Sequence, residues 1–290
     1  MPGRQTMLNT IRKVDSVLTL FTELHPEWGV REMAGELGVP RSNVYELVSS
    51  LAGIGLLERT PDRRYRLGWR LLQLSDHLVK STDVVRIGTG VVHQLATQLG
   101  QTAGLATWES GQVLCLEQIE PRGSIPIARV GDRPPVHSTA PGKIALSHGI
   151  VDLEGTLERF TPRTITDEIL LRQQLSVVRR NDVAFDLGET DPSVRCIAAP
   201  IRDTRSGVVL AAVTLCVAPT QFVRDGERYT RSTIGAARWI SALLSSNNTA
   251  DSKTRSNRTA ARTPQQLHLS RRLPLLQFDG RRHAAQPPAK

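Results

Sequence analysis

VREMAGELGVPRSNVYELVSSLAGIGLLER, residues 30–59, decides how this chain is read. Ala34 is small where two helices would cross closely. Gly38 follows four residues later, where a tight turn needs positive φ. Val44 and Leu47 come next, spaced to plug the core from a second helix, and Pro40 suits that helix's first turn because its missing N–H costs nothing there. This spacing is that of a helix-turn-helix. An ordinary helical hairpin would use the same residues.

The flanks favour the first reading. Upstream, Leu8, Ile11, Val14, Leu18 and Phe21 form an apolar stripe at helical spacing. Downstream, LLERTPDRRYRLG reads as two short strands around a turn at Thr60–Pro61–Asp62–Arg63, the wing beside a helix-turn-helix. On the second helix Val44, Leu47, Val48 and Leu51 face inward. Arg41, Ser42, Asn43, Tyr45, Glu46 and Ser49 then face outward, as candidates for base edges in a major groove. Glu46 could equally be a solvated face residue. Arg59, Arg63, Arg64 and Arg66 crowd the wing, where they would grip phosphate or simply keep a hairpin soluble.

Composition bounds the rest. The chain has 290 residues, a net charge of +9 and only 4% aromatics, so its cores rest on Leu, Val, Ile and Ala. The charge is not spread evenly. Residues 251–290 hold nine Lys/Arg against two Asp/Glu, whereas residues 1–80 hold eleven against nine. High basicity is therefore weak support for sequence-specific DNA binding. No apolar run reaches the ~20 residues of a membrane span, and the first residues lack a signal-peptide core, so a cytoplasmic protein with no membrane partner is expected. Cys115, Cys196 and Cys216 show no metal-ligand spacing, so no metal and no cofactor is expected. They read as buried free thiols, not as a disulfide framework.

Four segments follow: a winged helix-turn-helix over 1–68, a linker helix over 69–80 (WRLLQLSDHLVK), a mixed domain over 81–246, and a basic, polar tail over 247–290 expected to be disordered. Within the third, TAGLATWESGQVLCLEQIE reads as a hairpin turning at Glu109–Ser110–Gly111–Gln112. Ile125–Val130 would add a strand, as would Cys196–Arg202 and Val208–Val217. Residues 168–180 and 226–244 look helical. The fold class expected is α+β with an antiparallel sheet. HSTAPGKIAL, residues 137–146, leads into a helix whose N-terminus suits an anion, or is a plain loop-to-helix junction. An enzyme built on His137, Asp186 and Cys196 is weighed against this, but no nucleophile motif supports it. A ligand-free architectural DNA-binding protein is the other rival.

Four stretches, in order, resemble the IclR family of bacterial transcription regulators: GVPRSNVYELVSSL, RRYRLGWRLLQL, RVGDRPPVHSTAPGKIAL, and SVRCIAAPIRD followed by VVLAAVTLCVAP. The resemblance implies a C-terminal effector-binding domain of GAF/profilin-like fold. It also implies a homodimer or dimer of dimers on a palindromic operator in double-stranded DNA. The effector implied is a small organic acid, a carboxylate from catabolism, acting on a catabolic operon. Matching motif to motif, the resemblance gives a pocket from Ala140, Pro141, Gly142, Asp186, Cys196, Thr214 and Cys216. Taken singly, Cys196 and Cys216 would be core thiols and Asp186 a turn residue. Pro141 lacks an amide that could hold an anion, and Cys216 is a weak donor, so the effector is expected to be bulkier or less polar than in relatives. Trp69, Leu71, Leu72, Leu74 and Leu78 make helix 69–80 the expected transmission element and dimer contact, or else a helix packed on its own domain.

Overall fold

The computed structural model describes residues 9–258 apart from 126 and 154, and only the backbone of 247–258. The N-terminal region begins with α1 (Asn9–Thr19), β1 (Glu27–Trp28), α2 (Val30–Leu37) and α3 (Arg41–Gly53). β2 (Leu57–Arg59) and β3 (Tyr65–Leu67) follow, and β3 lies between β1 and β2 in a small antiparallel sheet. Gly38 ends α2 at φ 63°, in the left-handed region, with its amide on the open carbonyls of α2. That turn aims α3 across α2. Val17, Met33, Val44, Val48, Leu51, Leu57 and Tyr65 close a single core beneath them. The expected apolar stripe holds at Val14, Leu18 and Phe21, which pack against this core, but not at Ile11. Val17 is the buried residue while Ile11 is exposed, because α1 ends at Thr19 and turns its Val14–Val17–Leu18 side toward α2 and α3. Leu8 lies outside the described residues.

α4 (Arg70–Ser81) and α5 (Asp83–Leu99) lead into the larger region. β4 (Thr102–Glu109) and β5 (Gln112–Ile119) form the expected hairpin, with Ser110 and Gly111 both at positive φ as a two-residue turn requires. Next come α6 (Ala140–Ser147), α7 (Glu168–Asn181), β6 (Ala184–Asp186), β7 (Arg195–Arg202), β8 (Val209–Val217) and α8 (Pro219–Arg258). The five strands run antiparallel in the order β5–β4–β8–β7–β6. Strand side chains alternate between faces. Ile197, Ala199, Ile201, Val213 and Leu215 pack on α5 and α8, whereas Cys196, Ala198, Ala212 and Cys216 face α6 and α7. Both faces are covered, which is why β7 and β8 read as continuous apolar runs.

Three expectations are corrected here. Ile125–Val130 is not a strand. Its described residues form a loop held by Thr102, whose hydroxyl bonds the Ser124 hydroxyl (2.9 Å) and the Ile125 carbonyl (2.6 Å). The Pro-rich stretch (Pro126, Pro134, Pro135) cannot supply a ladder of donors. The disordered tail expected from 247 instead begins as helix, since α8 continues to Arg258. No Gly or Pro intervenes between Ala236 and Arg258, and extending a docked helix costs far less than starting one. The remaining tail, 259–290, lies outside the described residues. Finally, Cys196 and Cys216 are joined in a disulfide, and only Cys115 is a free thiol. β7 and β8 place the two directly opposite each other with Cα atoms 4.2 Å apart, a register that their separation of twenty in sequence hides.

Candidate functional site

The first site is the outer face of α3. Val44, Val48 and Leu51 bury its inner face, leaving Arg41, Ser42, Asn43, Tyr45 and Glu46 exposed and Ser49 half-buried. Tyr45 keeps 51% of its surface in solvent, a large aromatic with no core to fill. These six positions form one continuous polar surface with donor and acceptor groups suited to base edges.

The wing divides its four arginines. Arg64 forks onto Glu32, with Nη1 on Oε1 at 3.0 Å and Nη2 on Oε2 at 2.7 Å, and also donates to the Glu27 carbonyl at 2.9 Å. Its hydrogen bond and that from the Gly29 amide hold the Glu32 carboxyl below the usual carboxylate range. Arg64 thus straps the wing to α2 and has few donors to spare for phosphate. Arg66 pairs with Glu58 across β2 and β3 at 3.0 Å. Arg59 and Arg63 form no ion pair among the described residues. Arg63 sits at the wing tip at φ 64°. Of the four wing arginines that sequence reading offers to phosphate or to solvent, Arg64 and Arg66 are paired within the domain, which leaves Arg59 and Arg63 as the candidates for DNA.

The second site is a cavity of about 290 Å³ in the larger region. Ala106, Val113, Cys115, Thr214 and Cys216 line it from the sheet. Thr139, Ala140 and Pro141 line it from the start of α6, and Asp186, Thr190, Asp191, Val194 and Cys196 from the β6–β7 side. Ile127, Ala128 and Pro134 come from the loop after β5. Six of the seven expected positions meet here: Ala140, Pro141, Asp186, Cys196, Thr214 and Cys216. Gly142 does not. Its amide is taken by the Thr139 hydroxyl at 3.3 Å, and a Cβ there would fall 1.9 Å from the Val136 carbonyl oxygen. Glycine at 142 lets the loop pass; it is not a ligand contact.

The anion reading of this helix start is corrected in the same way. Lys143 N–H is taken by the Thr139 carbonyl, Gly142 N–H by the Thr139 side chain, and Pro141 has none. Only Ala140 retains an amide. Asp186 is likewise committed: Oδ1 accepts from the amides of Gly188 (3.0 Å), Glu189 (2.6 Å) and Thr190 (3.4 Å), shaping the turn beside the cavity. Behind α6, fully buried Lys143 pairs with Glu189 and donates to the Phe185 carbonyl at 2.9 Å. Burial pushes the Glu189 carboxyl above its ordinary range against the pull of Lys143. Cavity positions that sequence reading missed include Cys115, Gln118, Thr139 and Asp191. Their signal lies in strand register and loop closure, which local spacing does not carry.

His137, Asp186 and Cys196 do not make a nucleophilic triad. Cys196 is bound in the disulfide, and His137 Nε2 meets the Glu158 carbonyl at 2.8 Å.

Residues 10–61 match the IclR helix-turn-helix domain, and residues 76–242 match the C-terminal domain described as "Bacterial transcriptional regulator IclR C-terminal". The chain belongs to the IclR family of bacterial transcription regulators. It is thus a regulator with a DNA-binding domain and an effector-binding domain, not an enzyme. Among its relatives, the Escherichia coli regulator XynR is 29% identical over 213 residues, covering 71% of this chain and 84% of XynR. KdgR of the same organism is 28% identical over 245 residues, covering 80% and 93%. Solved structures agree. An IclR homologue from Microbacterium hydrocarbonoxydans complexed with 4-hydroxybenzoate superposes with TM-score 0.72 at 26% identity, covering 81% of this chain and 98% of that one. The Thermotoga maritima IclR gives 0.68 at 25%, covering 82% and 99%.

Proposed function

We propose that this IclR-family protein is a cytoplasmic regulator of a catabolic operon, binding a palindromic operator as a homodimer or dimer of dimers and released or retained by a small molecule in the cavity. Residues 1–68 read DNA, 69–80 carry the signal and 81–246 hold the effector. The observation that carries this is the pairing of an exposed polar face on α3 with a cavity of ligand size in the same chain. Selection from random-sequence DNA duplexes with the full-length protein tests it. The expected product is an inverted repeat whose half-sites lie about one helical turn apart, ~34–36 Å, or a multiple of it. Recovery of unrelated duplexes with no common motif would overturn the reading.

The lining sharpens the effector's chemistry. Two carboxylates, Asp186 and Asp191, line the cavity and no Lys, Arg or His does, although Lys143 and Arg195 act on Asp186 from outside the lining. An anion would meet like charge with a single helix amide in the lining to offset it. Thr214, whose hydroxyl has no partner among the described residues, and the Thr190 hydroxyl oxygen, which donates to Ser138 but can still accept, instead suit hydroxyl or amide groups on a molecule of about one substituted ring. We therefore set a neutral hydroxylated compound against the expected carboxylate effector. 4-Hydroxybenzamide should raise the unfolding temperature more than 4-hydroxybenzoate at equal concentration. The reverse order supports the carboxylate.

A further inference from the structure

All three cysteines of the chain line the same cavity. Two of them, Cys196 and Cys216, are bonded to each other across neighbouring strands. Each keeps about 7% of its surface open, so a small molecule that enters the cavity meets sulfur. The bond does not hold the strands together: β7 and β8 are hydrogen-bonded along nearly their whole length, from Arg195↔Val217 to Arg202↔Val209. We propose that Cys196–Cys216 is a reversible thiol–disulfide centre reached through the effector cavity by small neutral or cationic thiols, and that its state alters what the cavity holds.

The chemistry closes without help from the protein. An incoming thiolate attacks one sulfur, forming a mixed disulfide and expelling the other cysteine as a thiolate, which takes a proton. A second small thiol, as thiolate, attacks that mixed disulfide, leaving as the small disulfide, and the released cysteine is protonated. Two electrons pass from two small thiols to the pair, and exchange with the small disulfide reverses every step. Cys115 takes no part as a nucleophile. Burial first, then the nearby Asp132, pushes its thiol up to about 11. The lining selects the partner: Asp186 already feels the charges of Lys143 and Arg195, but Asp191, whose carboxyl is held below its ordinary range by Ser193, repels an anionic thiol such as glutathione and attracts an aminothiol.

Opening the bond matters to the cavity. Two sulfurs at bonding distance must move apart to van der Waals separation, and the side chains already face α6, whose Ala140 and Ile144 are fully buried against the same cluster. The free space lies on the cavity side. Reduction therefore fills part of the cavity and adds two weak S–H donors. This last consequence rests on the cavity being the effector site. The exchange chemistry does not.

The test uses the full-length protein, with thiols trapped by N-ethylmaleimide in denaturant and counted by intact mass. After cystamine treatment one adduct is expected, on Cys115. After native incubation with cysteamine at pH 8 three are expected, with far-UV circular dichroism unchanged. At equal thiolate concentration cysteamine should outpace glutathione by roughly tenfold or more, a preference lost in urea. Cys115→Ser should leave the paired chemistry intact, and Cys196→Ala/Cys216→Ala should abolish it. Three adducts after cystamine, or reduction only once the protein unfolds, would overturn the proposal. 4-Hydroxybenzamide, scored by unfolding temperature on both forms, then reads the cavity. A shift that differs between oxidised and reduced protein supports the coupling, and equal nonzero shifts refute it. No shift in either form rejects the neutral-ligand reading of the cavity and the coupling built on it, while the thiol counts still decide the redox proposal.

Discussion

Lys143 is a charged side chain with no surface left in water, and its partner Glu189 is nearly as deep. A buried ion pair of this kind is weak support for stability when intact but severe when halved, because the survivor is an uncompensated charge. Lys143→Met should destabilise the protein by about 3–5 kcal/mol in urea unfolding, and adding Glu189→Gln should recover most of that loss. Additive costs in the double variant would show that the pair is not coupled. His148 gives a second handle. Burial, then the charge of Arg202, hold its imidazole below the ordinary range, against a smaller pull from Asp182. The unfolded chain therefore binds a proton that the folded one refuses, so stability from this group is present above the ordinary histidine pKa and is lost as pH falls through the folded value. His148→Gln should flatten the decline in unfolding temperature between about pH 7 and pH 5 relative to the parent. Such single-residue roles were the least legible in the sequence. Arg64 and Arg63 are adjacent and chemically identical there. Only the approach of Glu32, thirty-two positions away, separates a strap from a free cation.

At the scale of elements, α3 and the wing should fail in different ways when altered. Arg41→Ala or Asn43→Ala removes a donor from the exposed face of α3. Each should weaken binding to a selected operator by about 1–3 kcal/mol for the base edge no longer reached, and relax preference at that one position. Arg63→Ala should instead weaken all duplexes alike and lower the slope of log affinity against log salt by about one. Fluorescence anisotropy over a salt series distinguishes these outcomes. An Arg63→Ala protein with an unchanged slope would remove the wing tip from the phosphate contacts. Elements were also what the sequence carried best. Ala34, Gly38 and Val44 mark α2, turn and α3 because close crossing, positive φ and core filling each admit few residue types. The β4–β5 hairpin was legible for the same reason, through Ser110 and Gly111. The loop after β5 was misread because its apolar residues serve the cavity, not a ladder, and apolar spacing alone cannot tell these apart.

For the molecule as a whole, the question is what joins two DNA-reading surfaces. A lone winged helix contacts one half-site, and an inverted repeat rewards only a pair whose spacing is fixed. α4 carries the apolar surface that such pairing needs: Leu72 is 64% exposed, Leu78 66%, and Trp69 just before the helix 73%. No residue of α4 is buried. Large apolar groups clustered along one helix beside a polar surface are the mark of a partner contact, not of solvent. A second copy is the partner we propose, since a two-fold contact is self-complementary and needs only this one helix from each chain. Leu72→Glu/Leu78→Glu should therefore give a folded monomer by sedimentation, with unaltered thermal response to ligand in the cavity. Its affinity for a single half-site should stay close to the parent's, while its affinity for the full inverted repeat should fall by several orders of magnitude, because the second reader is no longer held at high effective concentration. A double variant that still sediments as a dimer would move the interface elsewhere and leave α4 to pack within its own chain.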